Sequence, residues 1–165
     1  MHDLRMAQAA DQGMVAHWQA EAHVAAWWGT VPDLSDQGAD PHVTRLIATF
    51  ANEPFAYVQH YDPRAWPAHH FAALPEGARG IDLFIGPPAM IGQGHGAALV
   101  GVVLRTLFRA GAPIVAVDPH PANARAIATY RRAGFGVMGP AIETAWGPAL
   151  PMTVDRTAFS RAEVR

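Results

Sequence analysis

Apolar positions along the chain repeat with two different periods. Between residues 11 and 28, Met14, Val15, Trp18, Ala22 and Ala25 recur near the 3.6-residue spacing of a helix, with Asp11 as a candidate cap. Residues 43–51 and 54–61 read instead as two strands joined by a turn at Asn52-Glu53. In the second, Phe55, Tyr57, Gln59 and Tyr61 share one face, and Ala56, Val58 and His60 share the other. Residues 79–86 form a further strand, with Ile81, Leu83 and Ile85 on one side and Asp82 with Phe84 on the other. An apolar run from Ala97 to Phe108 predicts a helix reaching about Ala110, and Pro113 to Val117 a short buried strand ending at Asp118. Asn123 is a good N-cap and Gly134 a good C′ residue for the next helix, whose start Pro119 and Pro121 delay. Gly136–Met138 and Ala149–Val154 then read as two closing strands around a loop carrying Trp146. Residues 30–41, with Pro32, Gly38 and Pro41, read as a mobile loop, and 62–78, with Pro63, Pro67 and Pro75, as a long irregular connection. No repeat is visible, and the whole of 1–165 is expected to be a single domain of α/β or α+β class, a mixed sheet with helices on both faces.

Composition narrows the class of function. Half of the residues are apolar and 16% are charged, which suits a globular core. The formal charge of −2 comes without a basic stripe, so nucleic acid is not an expected partner, and a cationic substrate is compatible. The chain has no cysteine, which removes disulfides and thiolate metal sites and suits a cytoplasmic protein. The first ten residues lack the apolar core of a signal peptide, and no apolar run is long enough to span a membrane.

The chemistry concentrates at residues 90–103. Gly92, Gly94 and Gly96 alternate just before the apolar helix and after the strand at 79–86. Glycines let backbone approach a ligand, and the unpaired N–H groups of a first helical turn suit a phosphate. The spacing is not that of a dinucleotide fingerprint, because Ala97 stands where its third glycine would, and no Gly-Lys-Ser/Thr follows. The glycines either serve the turn alone or cradle a pyrophosphate. Other residues carry similar alternatives. Trp27 and Trp28 are core or a stacking wall; Asp82, in an apolar strand, has a salt bridge to an arginine such as Arg79 or meets a substrate amine; Tyr130, two turns after Asn123, packs with Ile127 or acts. His69 and His70 are adjacent and would diverge on a strand, so no metal site is expected there.

Strand, x-G-x-G-x-G, helix, strand, N-x6-Y and A-G-F, in that order, resemble the core of the GCN5-related N-acetyltransferase superfamily. The matching residues are Gly92 to Gly96, Asn123, Tyr130 and Ala133-Gly134-Phe135. H-V-A-A-W-W-G at 23–29, Y-V-Q-H-Y at 57–61, R-G-I-D at 79–82, D-P-x-P-x-N at 118–123 and G-P-A at 147–149 look like its aminoglycoside 6′-N-acetyltransferase branch, which is related to siderophore-lysine acyltransferases.

The resemblance implies a mostly antiparallel central sheet with splayed central strands and flanking helices, and acetyl-coenzyme A as co-substrate with no metal. By this likeness Ile91, Gly92, Gln93, Gly94, His95 and Gly96 hold the pyrophosphate, Phe84 and Ile85 lie along the pantetheine arm, and Asn123 contacts that arm near the thiol. Tyr130 is then the general acid and Asp82 the acid proposed as base, while Trp27, Trp28, Gln59, Asp82 and Asp118 match acceptor-contacting positions. An aspartate of ordinary pKa near 4 is a poor base, so Asp82 would need burial or would act through water. A phenol of pKa near 10 suits donation to a thiolate. The expected reaction is direct attack of an aminoglycoside amine on the thioester in a ternary complex. Alternatives are another amine or siderophore-precursor acceptor, or a non-catalytic acyl-CoA-binding module, as monomer or homodimer. Three departures bear on the acceptor. Ile91 replaces the usual Arg or Gln, the loop after Tyr61 offers Trp66, His69 and His70 with only Asp62 and Glu76 as acids, and Trp146 stands before Gly-Pro where an acid can occur.

Overall fold

A computed structural model describes residues 1–30, 33–35 and 40–163. Part of the loop expected at 30–41, including Pro32 and Gly38, lies outside the described residues. A seven-strand, mostly antiparallel sheet with flanking helices has the order β1-β2-β3-β4-β5-β9-β6: His2–Met6, Val43–Phe50, Glu53–Tyr61, Arg79–Ile85, Ile114–Val117, Met152–Asp155 and Gly136–Val137. Strands β7 (Ile142–Thr144) and β8 (Gly147–Ala149) form a separate antiparallel pair. The chain divides into two compact units, Met1–Tyr61 with Asp82–Gly96, and Asp62–Ile81 with Ala97–Arg165.

In the first unit β1, β2 and β3 form an antiparallel meander. The β2–β3 turn falls at Ala51-Asn52, one residue earlier than the sequence pattern placed it. Both residues have positive φ, +50° and +69°, which matches the right-handed twist of a two-residue hairpin. Phe55, Ala56, Tyr57 and Val58 are all buried, so both faces of β3 are covered here. The helical stretch expected over 11–28 is broken into α1 (Gln12–Ala20) and α2 (Ala22–Ala25), because Glu21 is extended at ψ 134°. Asp11 does not cap α1 through its side chain. Its carboxylate is instead taken by both terminal nitrogens of Arg5 at 2.7 Å, and by the Gln8 N–H at 2.8 Å. Val15, Trp18, Val24, Leu34, Ile47, Tyr57 and Phe84 pack into one core, and Gly86 is pressed against the Trp18 indole, 2.1 Å from where a Cβ would stand. A side chain at 86 would have to displace that ring.

In the second unit β4 pairs with β5 in parallel through Arg79↔Val115 and Gly80↔Ala116, and β9 runs antiparallel to both β5 and β6. Helix α3 (His95–Arg109) buries Leu99, Val100, Val103, Leu104, Leu107 and Phe108, the i, i+4 stripe legible in its sequence. Helix α4 (Ala124–Arg132) is capped as expected, with Asn123 Oδ1 accepting from the Ala126 N–H at 3.1 Å. It ends where Gly134 takes φ +94°, and the Phe135 N–H reaches back to the Tyr130 carbonyl at 3.1 Å. A last helix, α5 (Arg156–Glu163), follows β9 directly, with Asp155 Oδ1 accepting from the Ala158 N–H at 2.7 Å. Neither α5 nor β1 was anticipated. The 136–155 segment holds four short strands rather than two. No helix among the described residues is long and apolar enough to cross a membrane.

Candidate active site

The glycine loop has the geometry its sequence predicts. Gly92 and Gly94 adopt φ +77° and +85°, and a Cβ built on either meets nothing within 4 Å. The left-handed backbone, not crowding, is what demands glycine there, and the space beside it is open for a ligand. Helix α3 starts at His95, so the loop runs straight into the helix turn that carries unpaired N–H groups and the positive end of the macrodipole. This arrangement fits a diphosphate. The His95 imidazole is engaged elsewhere: its Nδ1 lies 3.0 Å from His2 Nε2, and its ring packs at 4.6 Å from Phe50 and 5.7 Å from Phe55. The Gln93 side chain donates to the Ala89 carbonyl, and the Ile91 N–H to that of Pro88 at 3.1 Å.

On β3 and β4, three side chains form a short relay. The Tyr57 hydroxyl donates to Gln59 Oε1 at 2.9 Å, and Gln59 Nε2 donates to Asp82 Oδ2 at 2.8 Å. Burial, reinforced by the Asp82 charge and only partly offset by Arg45, pushes the Tyr57 phenol far up, so it remains a donor. Asp82 is partly buried and held by an amide rather than by Arg79, whose Nη1 is 3.9 Å from Asp62 Oδ2. Phe84 is buried, stacking with Tyr57 at 5.4 Å and meeting Trp28 edge-on at 4.8 Å. Phe84 could therefore serve a ligand through its backbone. The Ile85 carbonyl lies 2.9 Å from His23 Nε2.

The paired tryptophans part company. Trp28 packs against the first unit's core, with its indole N–H on the Thr30 carbonyl at 2.9 Å, whereas Trp27 is 43% exposed. In the second unit Tyr130 is buried and meets Phe135 edge-on at 5.3 Å. Asp118, just after β5, lies 2.9 Å from His70 Nε2. His69 and His70 do not diverge: they sit in a turn with rings stacked at 4.4 Å. Among the described residues no group of three or more His, Asp or Glu is placed to hold a metal ion. Sequence reasoning missed Tyr57, His23 and the His70–Asp118 pair. For Tyr57 the signal was present, since it alternates with Gln59 on one strand face.

The Acetyltransferase (GNAT) domain family matches residues 7–142. The chain belongs to this acetyltransferase family. It is 32% identical to the "Aminoglycoside N(6')-acetyltransferase type 1" of Klebsiella pneumoniae, over 96% of this chain and 85% of that one. A "Kanamycin resistance protein" of Rhizobium radiobacter is 38% identical over 52% of this GNAT chain and 79% of its own length. Among solved structures, aminoglycoside acetyltransferase AAC(6')-Ib in complex with coenzyme A and kanamycin superimposes with a TM-score of 0.87, at 31% identity and 99% coverage of both chains.

Proposed function

We propose that residues 1–165 act as one domain that transfers the acetyl group of acetyl-coenzyme A to an aminoglycoside amine of the 6′ type. The observation that carries this reading is the glycine loop, open at Gly92 and Gly94 and running into α3, in a member of the GNAT family whose similar structure binds coenzyme A and kanamycin. Backbone N–H groups of Gly92 to Gly96 hold the pyrophosphate, Phe84 and Ile85 lie along the pantetheine arm, and Asn123 contacts it near the sulfur; the Ile91 N–H is already taken by the Pro88 carbonyl. The co-substrate supplies an activated acyl group as a thioester. Asp82, with Gln59 fixing one oxygen, binds the acceptor ammonium and receives its proton directly or through water as the amine becomes a nucleophile. Asp118 and the exposed Trp27 bind the remainder of the acceptor. A charge-assisted hydrogen bond to each carboxylate contributes about 1.5–3 kcal/mol. As the new N–C bond forms and the C–S bond breaks, the Tyr130 phenol protonates the leaving thiolate.

A thiol-release assay with acetyl-coenzyme A and a panel of amines tests this. Kanamycin-type amines should turn over. Tyr130→Phe should lower kcat by about a hundredfold with little change in coenzyme A affinity, and Asp82→Asn should lower kcat/KM. Unchanged rates in both variants would remove the assigned roles. A second reading, another amine or a siderophore-type hydroxylamine as acceptor, is favoured by the exposed Trp146, 77% accessible where an acid can stand, and by the histidines of the 62–78 segment. Turnover of simple amines without turnover of kanamycin would select it. Coenzyme A binding with no turnover of any amine would leave a binding module.

A further inference from the structure

The pair His70–Asp118 has a chemistry that an acid-only acceptor site lacks. Nε2 of His70 stands 2.9 Å from Asp118 Oδ2, and the two side chains are only 13% and 19% exposed. The same Nε2 is buried without an aligned hydrogen bond, so this contact is an ion pair by distance and not a directed bond. Its attraction exists only while the imidazole carries a proton. The ring is also clamped. His69 stacks on it at 4.4 Å and Phe71 packs at 4.3 Å. His69 is fixed in turn, its Nδ1 accepting from the Phe71 N–H at 3.1 Å and its ring 5.7 Å from Trp146. Burial, and then the His70 charge, lower the His69 pKa, opposed by Asp118, so His69 favours its neutral form. His120, two residues beyond Asp118, receives the Ala122 N–H on its Nδ1. His70 Nε2 is held against the carboxylate at 2.9 Å.

We propose that His70 is a specificity-determining residue, an internal cation that competes with the acceptor's ammonium for Asp118. This rests on the reading above, in which Asp118 meets the acceptor. While the imidazole carries a proton, Asp118 is neutralised from within and an incoming polycation meets a positive neighbour. Loss of that proton releases the carboxylate to the acceptor. Affinity for a polycationic acceptor thus rises with pH, whereas affinity for the co-substrate does not follow it.

Equilibrium dialysis of kanamycin against the full chain with coenzyme A present, at pH 5.5 and pH 7.5, tests the proposal. The unaltered protein should bind kanamycin about tenfold more tightly at the higher pH. His70→Gln and His70→Phe, the second keeping a ring in the stack, should bind at pH 5.5 nearly as tightly as the unaltered protein does at pH 7.5. Asp118→Asn should weaken binding at pH 7.5 and flatten the dependence. Retention of the full pH dependence by both His70 variants overturns the inference while leaving acetyl transfer to kanamycin, read separately by thiol release, intact. Unchanged kanamycin binding in Asp118→Asn removes the acid assignment beneath it, and the inference with it.

Discussion

Asp11 shows how a single side chain can be read correctly as important and wrongly as to why. A polar residue ahead of an apolar period looks like a cap. In the fold it is the anchor for Arg5, which brings β1 to the start of α1 through two 2.7 Å bonds. Those bonds hold the carboxyl below the usual aspartate range, with the Arg5 hydrogen bond the largest cause and burial opposing it. A carboxyl whose folded pKa is depressed adds stability above its unfolded pKa and loses it as pH falls through the folded value. The 41% exposure of the Arg5 side chain screens the pair, so the contribution is about 0.5–1 kcal/mol. Urea melts at pH 7 should show Asp11→Asn destabilised by that amount, and the difference from the unaltered protein should shrink below about pH 4. A constant difference down to pH 2 would contradict the assignment. Gln59, expected among the acceptor contacts from its strand motif, has its amide engaged by Tyr57 and Asp82. Two residues apart on one strand, Tyr57 and Gln59 point the same way, and a period of two suffices to see it.

At the scale of elements, what was legible depended on length and burial. The fifteen residues of α3 carry a continuous apolar stripe, and its extent was readable to within a residue or so. So was the Asn123 cap of α4. The break at Glu21 was not readable, because the apolar period continues through it in the sequence while its backbone is extended. Strand β1 and helix α5 expose much of their surface and gain their order from β2, and from β9 and α3, so neither shows a strong period of its own. The hairpin at Ala51-Asn52 yields a direct prediction. Ala51 sits at φ +50°, where a Cβ costs roughly 1 kcal/mol. Ala51→Gly should raise the melting temperature by about 1–2 °C and Ala51→Val should lower it, as differential scanning calorimetry would show.

At the scale of the molecule, the chain divides into two compact units. Asp82, Gln59 and the glycine loop belong to the first, and Tyr130, Asn123 and Asp118 to the second. Coenzyme A at a hundredfold excess over its dissociation constant should stabilise the folded chain by about 2.7 kcal/mol, a thermal shift of roughly 5–10 °C. Gly94→Val, which burdens a φ of +85°, should lose most of that shift at the same concentration. An equal shift in the variant would place the diphosphate elsewhere. The fold of the 62–78 segment was the least legible feature of the chain. Pairing of His70 with Asp118, 48 positions away along the chain, leaves no local pattern.

Gly134 belongs to the Ala-Gly-Phe signature by which such chains are recognised. Its φ is +94°, and an added methyl would stand 2.8 Å from the carbonyl oxygen of Ala158, the backbone of the terminal helix. Two architectural demands thus preserve the glycine, and neither concerns acyl chemistry. A descendant that had lost its reactivity but kept its shape would retain the same three letters, so the signature certifies ancestry, and competence has to be judged at the carboxylate and the phenol.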